Sequence, residues 1–353
     1  MNPPFPPAAT VALLLPAYNE EAFLPALFGD LLAQTYPREK TEILMADSLS
    51  SDGTRRLMET FAREYGTGYR RIAVLDNPGR IQACGWNVCI READTDVVIR
   101  VDAHSRLPAD FIEKQMCCQN SGETVTGGVC ERVAADPSPL GRTLLLAENA
   151  ALGGGFFSGR RGGTGKRYVP TVSHTAYRRA LFTEYGLFDE RLPRTEDNEM
   201  HWRLRKAGCR ICQDPTLRTR VCIRNSPGAL LRQKYGNGYW IGVTAKVCPG
   251  CLSPFHFTPA LLIAALLGAA AAAFAGWSVP LRLLAAAYGL AVLAGTAAGL
   301  NGQPFTPMLL LAVFLFPAVH FVYGTGTWIG LIAGKPRKPD PETAGEKNSE
   351  SGG

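Results

Sequence analysis

The sequence predicts an α/β domain built on a mostly parallel sheet flanked by helices, followed by helices that lie on and cross a membrane. Three observations carry that prediction. Short apolar runs alternate with helix-like stretches from Val11 to Val101, acidic loops recur around Asp47, Asp102 and Asp197, and long uncharged runs fill the stretch from Thr258 to Gly334.

Val11 to Pro16 (VALLLP) is a continuous apolar run ended by proline, as expected of a strand buried on both faces. AYNEE then opens a helix-like stretch to about Gln34. The next run, EILMAD, ends in Asp47, and SLSSDGT supplies capping residues for a helix running through Arg55 to about Tyr65. RIAVL (Arg71 to Leu75) and DVVIRV (Asp96 to Val101) read as two further strands, with a helix around Gln82 to Ala93 between them. Such alternation implies a parallel sheet. Ligands of open parallel sheets bind outside the carboxyl ends of the strands, so Ala17 to Glu20, Asp47 and Asp102 are expected to meet in one crevice.

The residue types suggest what that crevice does. A strand-end carboxylate at Asp102 with His104 beside it can hold a hard divalent cation, which in turn neutralises a diphosphate leaving group. Asp47, in a tight polar turn, can accept hydrogen bonds from a base or ribose. Glu196-Asp197-Asn198-Glu199 opens a segment of helical composition, HWRLRKAG, with basic residues near its end, and a carboxylate at such a helix start is placed to act as a general base. Each acidic residue alone also reads as a turn or a cap. Their joint order on one alternating pattern is what points to catalysis.

PAYNEE, ADSLSSDGT, NPGRIQACGWN, IRVDAHSRLPADFI, PTVSHTAYRRALFTEYGLFDE and TEDNEMHWRLRKAG together resemble inverting family-two glycosyltransferases with the GT-A nucleotide-sugar-binding fold, in particular the succinoglycan-type exopolysaccharide enzymes. The resemblance covers about Val11 to Trp240. It implies that Pro16, Ala17, Tyr18 and Glu20 line the nucleotide pocket, that Asp47 contacts uridine and that Arg80 lies near the donor. Asp102, with Ala103, would belong to the metal and diphosphate motif, Mn2+ or Mg2+ would be the cofactor, and Asp197 would be the catalytic base. His104 stands where the family's Asp-x-Asp motif has its second aspartate, so Asp102 and His104 are the metal candidates. His174, Glu196, Gln233 and Trp240 are candidate acceptor or substrate contacts. RQKYGNGYW lacks the spacing of the Gln-x-x-Arg-Trp motif found in many relatives, which argues against processive synthesis. The implied reaction is a single displacement: Asp197 deprotonates an acceptor hydroxyl, which attacks the anomeric carbon as UDP leaves, with inversion and no covalent nucleophile.

The apolar runs set the remaining organisation. Thr258 to Ser278, Leu281 to Leu300 and Phe305 to Gly334 are each long enough to cross a bilayer core of roughly 30 Å, the third with a potential break at Pro317. The expected division is a leader (1–10), a catalytic domain (11–225), juxtamembrane interfacial helices (226–257), a membrane region (258–334) and a disordered tail (335–353). Arg218, Arg220, Arg224, Arg232, Lys234 and Lys246 precede the first span, which places the catalytic domain in the cytoplasm at the inner membrane. The basic Lys335 to Lys338 also reads as cytoplasmic, and an odd number of spans does not satisfy both signals. Expected partners are a UDP-sugar, a lipid-linked saccharide, the membrane and other polysaccharide-assembly enzymes. A polyprenyl-phosphate sugar synthase and a non-catalytic scaffold subunit are the alternatives.

The net charge of +6 does not imply nucleic acid, because the cations are not organised as a stripe on a nucleic-acid fold and part of them is juxtamembrane. Cys209-x-x-Cys212 and Cys248-x-x-Cys251 have zinc-like spacing within each pair, but the first pair falls where a strand is expected, so free, reduced thiols are the favoured reading. The glycine-rich stretch Gly153 to Lys166 does not match a phosphate loop and suggests a mobile loop over the active site.

Overall fold

The computed structural model describes residues 8–134, 136, 138–149, 165–223, 225–300 and 307–338. The leader up to residue 7, the glycine-rich loop up to residue 164 and the tail from residue 339 lie outside these. The described chain forms two units, one made of residues up to 131, 165–221 and 336–338, the other of residues from 132 to 149 and 222–335.

The first unit follows the alternation in the sequence: β1 (Val11–Ala17), α1 (Leu24–Leu32), β2 (Thr41–Asp47), α2 (Thr54–Tyr65), β3 (Arg71–Asp76), α3 (Gln82–Glu92) and β4 (Val97–Arg100). After them come β5 (Ser105–Arg106), α4 (Phe111–Asn120), β6 (Val125–Val133), α5 (Pro139–Asn149), β7 (Arg167–Tyr168), β8 (Ser173–Arg178), α6 (Ala180–Tyr185), α7 (Glu196–Lys206) and β9 (Ile211–Cys222). The last residues of β6 and all of α5 belong to the second unit. The sheet order is β3-β2-β1-β4-β8-β6-β9-β5, with β7 beside β9. β1 pairs in parallel with β2 and β4, and β2 with β3, whereas β8 runs antiparallel to both β4 and β6. The sheet is therefore mixed: its parallel half is the part read from the sequence, and its antiparallel half comes from strands with weaker apolar patterns.

The period of two along a strand explains why β1 and β2 are apolar throughout. Leu13, Leu15, Ile43 and Met45 face a layer containing Leu24, Leu27, Leu31, Met58 and Phe61. Ala12, Leu14, Leu44 and Ala46 face the other layer, with Trp86, Cys89, Ile90, Met200 and Leu204. At about 1.5–3 kcal/mol for each large aliphatic side chain removed from water, these layers supply the main force holding the strand ends in register. Glycine is required where α3 approaches β1, since a Cβ on Gly85 would lie 2.5 Å from Cβ of Pro16.

The second unit holds α5, α8 (Pro227–Val247), α9 (Thr258–Phe274), α10 (Val279–Leu300) and α11 (Ala312–Ile332). Three helical stretches, Pro254–Phe274, Val279–Leu300 and Pro307–Ile332, are long and apolar enough to span a membrane. α11 runs unbroken through Pro317, so the break considered there does not occur. Proline removes one backbone donor and its ring crowds the preceding turn. In the stretch 226–257, α8 lays a glycine face on α11: a Cβ on Gly238 would sit 2.0 Å from the Tyr323 carbonyl oxygen, and one on Gly330 would sit 2.0 Å from that of Tyr239. Small residues spaced by four allow this backbone approach. Lys234, buried on α8, is neutralised by Glu148 of α5, with Nζ 3.0 Å from Oε2.

Candidate active site

The carboxyl ends of β1, β2, β3 and β4 deliver the predicted donor-side residues to neighbouring loops. Pro16 and Ala17 end β1 and are buried, Tyr18 is exposed, and Asp47 ends β2 with its side chain almost wholly covered. Asp47 accepts weakly from the backbone N–H of Ser50 at 3.3 Å, and its Oδ2 lies 3.8 Å from Arg55 Nη1. The loops are stitched to one another: Asn19 Oδ1 accepts from the Ser51 N–H at 2.8 Å, the Ser48 N–H donates to the Ala17 carbonyl at 2.9 Å, and Asn77 Nδ2 donates to Ser48 Oγ at 2.9 Å. Among the described residues, non-glycine residues with positive φ are Asn19, Leu49, Arg80 and His174, all in or beside these loops. Left-handed backbone is costly for side chains such as leucine and arginine and concentrates at functional sites, because surrounding structure must hold it there.

β4 carries two charges into the crevice in quick succession, Arg100 and then Asp102. Burial opposes ionisation of Asp102, but the nearby imidazoles of His174 and His104, the Arg100 charge and a 2.8 Å hydrogen bond from Gln82 Nε2 outweigh it and hold the carboxyl below the ordinary aspartate range. His104 Nδ1 lies 3.3 Å from Glu20 Oε1, which brings the predicted nucleotide loop and the predicted metal motif together. Ala103 is buried between them in sequence.

His174 is expected in a loop by the sequence pattern; instead it lies on β8 and is almost fully buried. Its ring bridges two strands, with Nε2 2.7 Å from Ser105 Oγ and Nδ1 2.8 Å from Thr219 Oγ1, and Nε2 is also 3.6 Å from Asp102 Oδ2. Burial, helped by Arg100 and His104, lowers its pKa against the pull of Asp102, which keeps the imidazole neutral at pH 7.

α7 presents its first turn to the same region. Glu196 is buried and folds back so that Oε2 accepts from the Thr195 N–H at 2.9 Å. Burial and the adjacent Asp197 charge raise the Glu196 pKa well above the usual carboxylate range, and Arg100 only partly offsets them. Arg100 Nη2 stands 3.8 Å from Glu196 Oε1, and the guanidinium lies over the rings of Trp86 at 4.9 Å and Phe188 at 5.3 Å. Asp197 Oδ1 accepts from the Asn198 N–H at 2.8 Å. One turn further on, His201 is buried neutral, its Nδ1 2.8 Å from Thr171 Oγ1 and its Nε2 2.8 Å from Tyr177 Oη; burial, with Arg100 and Arg205, lowers its pKa despite Asp197. Arg100, His201, Thr219 and Gln82 were not singled out from the sequence. Arg100 sits inside an apolar strand pattern, and the only hint was a cation placed where a strand should be buried.

No cluster of three or more His, Cys, Asp or Glu side chains among the described residues forms a ready-made metal cage. An ionised Asp102 with His104 nearby fits a hard divalent ion of the kind that keeps waters and takes substrate phosphates as its other ligands. Gln233 and Trp240 lie on α8, in the second unit. All ten cysteines are free thiols, and of the CxxC pair at 209–212, Cys212 lies on β9 while Cys209 precedes it.

Residues 12–186, which contain the crevice loops as far as β8, match the family described as Glycosyl transferase family 2. The chain carries a glycosyltransferase family 2 domain. This glycosyltransferase is 28% identical over 333 residues to the succinoglycan biosynthesis protein ExoA of Rhizobium meliloti (strain 1021), covering 91% of this chain and 94% of that protein. It is 23% identical over 347 residues to the dolichyl N-acetyl-alpha-D-glucosaminyl phosphate 3-beta-D-2,3-diacetamido-2,3-dideoxy-beta-D-glucuronosyltransferase of Methanococcus voltae, covering 92% and 98% of the two chains. Among solved structures it resembles the mannosyltransferase PcManGT from Pyrobaculum calidifontis, determined with GDP-Man and Mn2+, with a TM-score of 0.60 and 18% identity over 91% of this chain and 87% of that one. At that identity the likeness concerns the fold, and the glycosyltransferase has the GT-A architecture followed by helices of membrane-spanning length.

Proposed function

We propose that this chain is a membrane-anchored inverting glycosyltransferase that moves a sugar from a UDP-sugar to a lipid-linked saccharide at the cytoplasmic face of the inner membrane, in exopolysaccharide or cell-surface polysaccharide synthesis. The observation that carries the reading is Arg100, whose charge acts on Asp102, Glu196 and Asp197 alike and so ties the β4 strand end to the start of α7. That link supports a reading in which donor and acceptor machinery share one crevice.

In this reading Pro16, Ala17, Tyr18, Glu20 and Asp47 receive the nucleotide, and Arg80 sits toward the donor. Asp102, supported by Gln82 and His174, and His104 would hold Mn2+ or Mg2+, which when bound neutralises the departing diphosphate. Asp197 takes the acceptor proton, and the raised pKa of Glu196 keeps that neighbour protonated, so the two carboxyls do not compete for the same role. Glu196 then orients the start of α7 through Thr195. Gln233 and Trp240 are assigned no step. The acceptor assignment draws support from the full-length relative of Methanococcus voltae, whose name states a dolichyl-linked sugar phosphate acceptor, and the three long apolar helices suit a lipid-borne substrate.

The test is nucleotide release and sugar transfer by detergent-purified protein across a panel of nucleotide sugars with Mn2+ or Mg2+ and lipid-linked acceptors from a membrane extract. Metal-dependent transfer from one UDP-sugar supports the proposal. Transfer to bare polyprenyl phosphate would move the assignment to a polyprenyl-phosphate sugar synthase, and a protein that binds no donor would be a scaffold subunit.

A further inference from the structure

We propose that Arg337, on the segment after the last apolar helix, is a positioning residue for the donor side of the crevice. Its Nη2 donates to the Gly79 carbonyl at 3.1 Å, its Nη1 lies 3.6 Å from Cys84 Sγ, and its backbone N–H donates to the Arg191 carbonyl at 3.1 Å. All four residues belong to the first unit.

The turn that Arg337 grips is Asn77-Pro78-Gly79-Arg80. Asn77 ties it to Ser48 and, through a 3.0 Å bond, to the Ile81 carbonyl, while the Arg80 N–H donates to the Asn77 carbonyl at 3.1 Å. Gly79 presses on the first turn of α3, since a Cβ there would lie 2.5 Å from Cys84 Sγ. Arg80 itself is left-handed, with φ of 58°. A strained backbone of this kind persists only where neighbouring bonds over-determine it. Arg337 contributes a charged donor to the carbonyl that immediately precedes the strained residue, the stronger class of hydrogen bond. Losing it leaves the turn free to relax and Arg80 free to leave its direction.

The role given to the turn rests on the donor reading of Arg80. The experiment uses the full chain in membranes. Arg337→Ala and Arg337→Lys are compared with the parent for donor KM, kcat and thermal stability. We expect a donor KM raised about three- to tenfold in Arg337→Ala, as for loss of one charge-assisted hydrogen bond at a half-buried site, with kcat within about twofold and partial rescue in Arg337→Lys. An unchanged KM in Arg337→Ala beside an active parent, or a fall in kcat alone that tracks lost stability, overturns the positioning role. A parent protein silent toward every donor overturns the donor reading and with it the role of the turn.

Discussion

Replacing Arg100 by methionine should uncouple the acidic start of α7 from the strand end that carries Asp102. The guanidinium lies 3.8 Å from the Glu196 carboxylate, with side-chain exposures of 12% and 6%. Where Glu196 ionises, above about pH 8, Coulomb's law at that separation and an effective dielectric of about 20 gives roughly 4 kcal/mol of attraction, of which desolvation of the two buried groups takes back a large part; at neutral pH Glu196 is protonated and little of that attraction is present. The faces of Trp86 and Phe188 add about 1–3 kcal/mol of cation–π attraction between them. Glu196 escapes part of the loss by holding its proton more tightly, since burial and Asp197 already favour its neutral form. The net expectation is about 2–4 kcal/mol of destabilisation for Arg100→Met, read as a lower thermal midpoint of the detergent-solubilised protein, with kcat/KM falling about a hundredfold as the carboxyls lose their common support. Glu196→Gln should be milder, and above about pH 8, where Glu196 ionises, the double variant should recover about 1–3 kcal/mol relative to additivity, because a protein lacking Arg100 gains from removing the acid it balanced. Additive stability losses with full activity in Arg100→Met would refute the view that this cation organises the site.

Three further outcomes follow from the same geometry. Asp197→Asn should lower transfer by about 10²–10⁴-fold while leaving donor binding within a factor of two or so, measured by nucleotide-sugar titration alongside turnover. Stability should peak near pH 6.5: below it the unfolded chain protonates His174 and His201 while the folded protein keeps both neutral, and above it the folded protein alone retains the Glu196 proton. Two histidines outweigh one carboxyl on the acid side, so net loss approaches about 1.4 kcal/mol per pH unit on each branch, and Glu196→Gln should flatten the alkaline branch in a pH series of thermal midpoints. Gly330→Leu should destabilise the α8–α11 pair by about 3 kcal/mol or more, because its first side-chain carbon alone would stand 2.0 Å from the Tyr239 carbonyl oxygen; the check is resistance to denaturing detergent, and an unaltered midpoint would show that the helices separate without cost.

What the amino-acid order determined by itself was everything set by local pattern. Continuous apolar runs with a period-two partition between two core layers specify β1, β2 and β4, the polar turns after them specify where loops fall, and uncharged stretches of about twenty residues specify the long C-terminal helices, since each of these depends on neighbours in sequence. The positions of Asp47, Asp102 and Asp197 were legible for the same reason: each stands at or just after the end of a strand or at the start of a helix, as the local pattern indicated. The tertiary structure decided what joins residues far apart. It put His174 between Ser105 and Thr219, set Arg100 beneath the first turn of α7, laid the glycines of α8 against those of α11, and returned Arg337 to the turn before Arg80. Apart from the four-residue spacing of the glycines on α8 and α11, none of these contacts leaves a period or a spacing in the chain. A hydrogen bond or a buried charge pair requires only that two groups meet in space, and folding alone determines which groups meet.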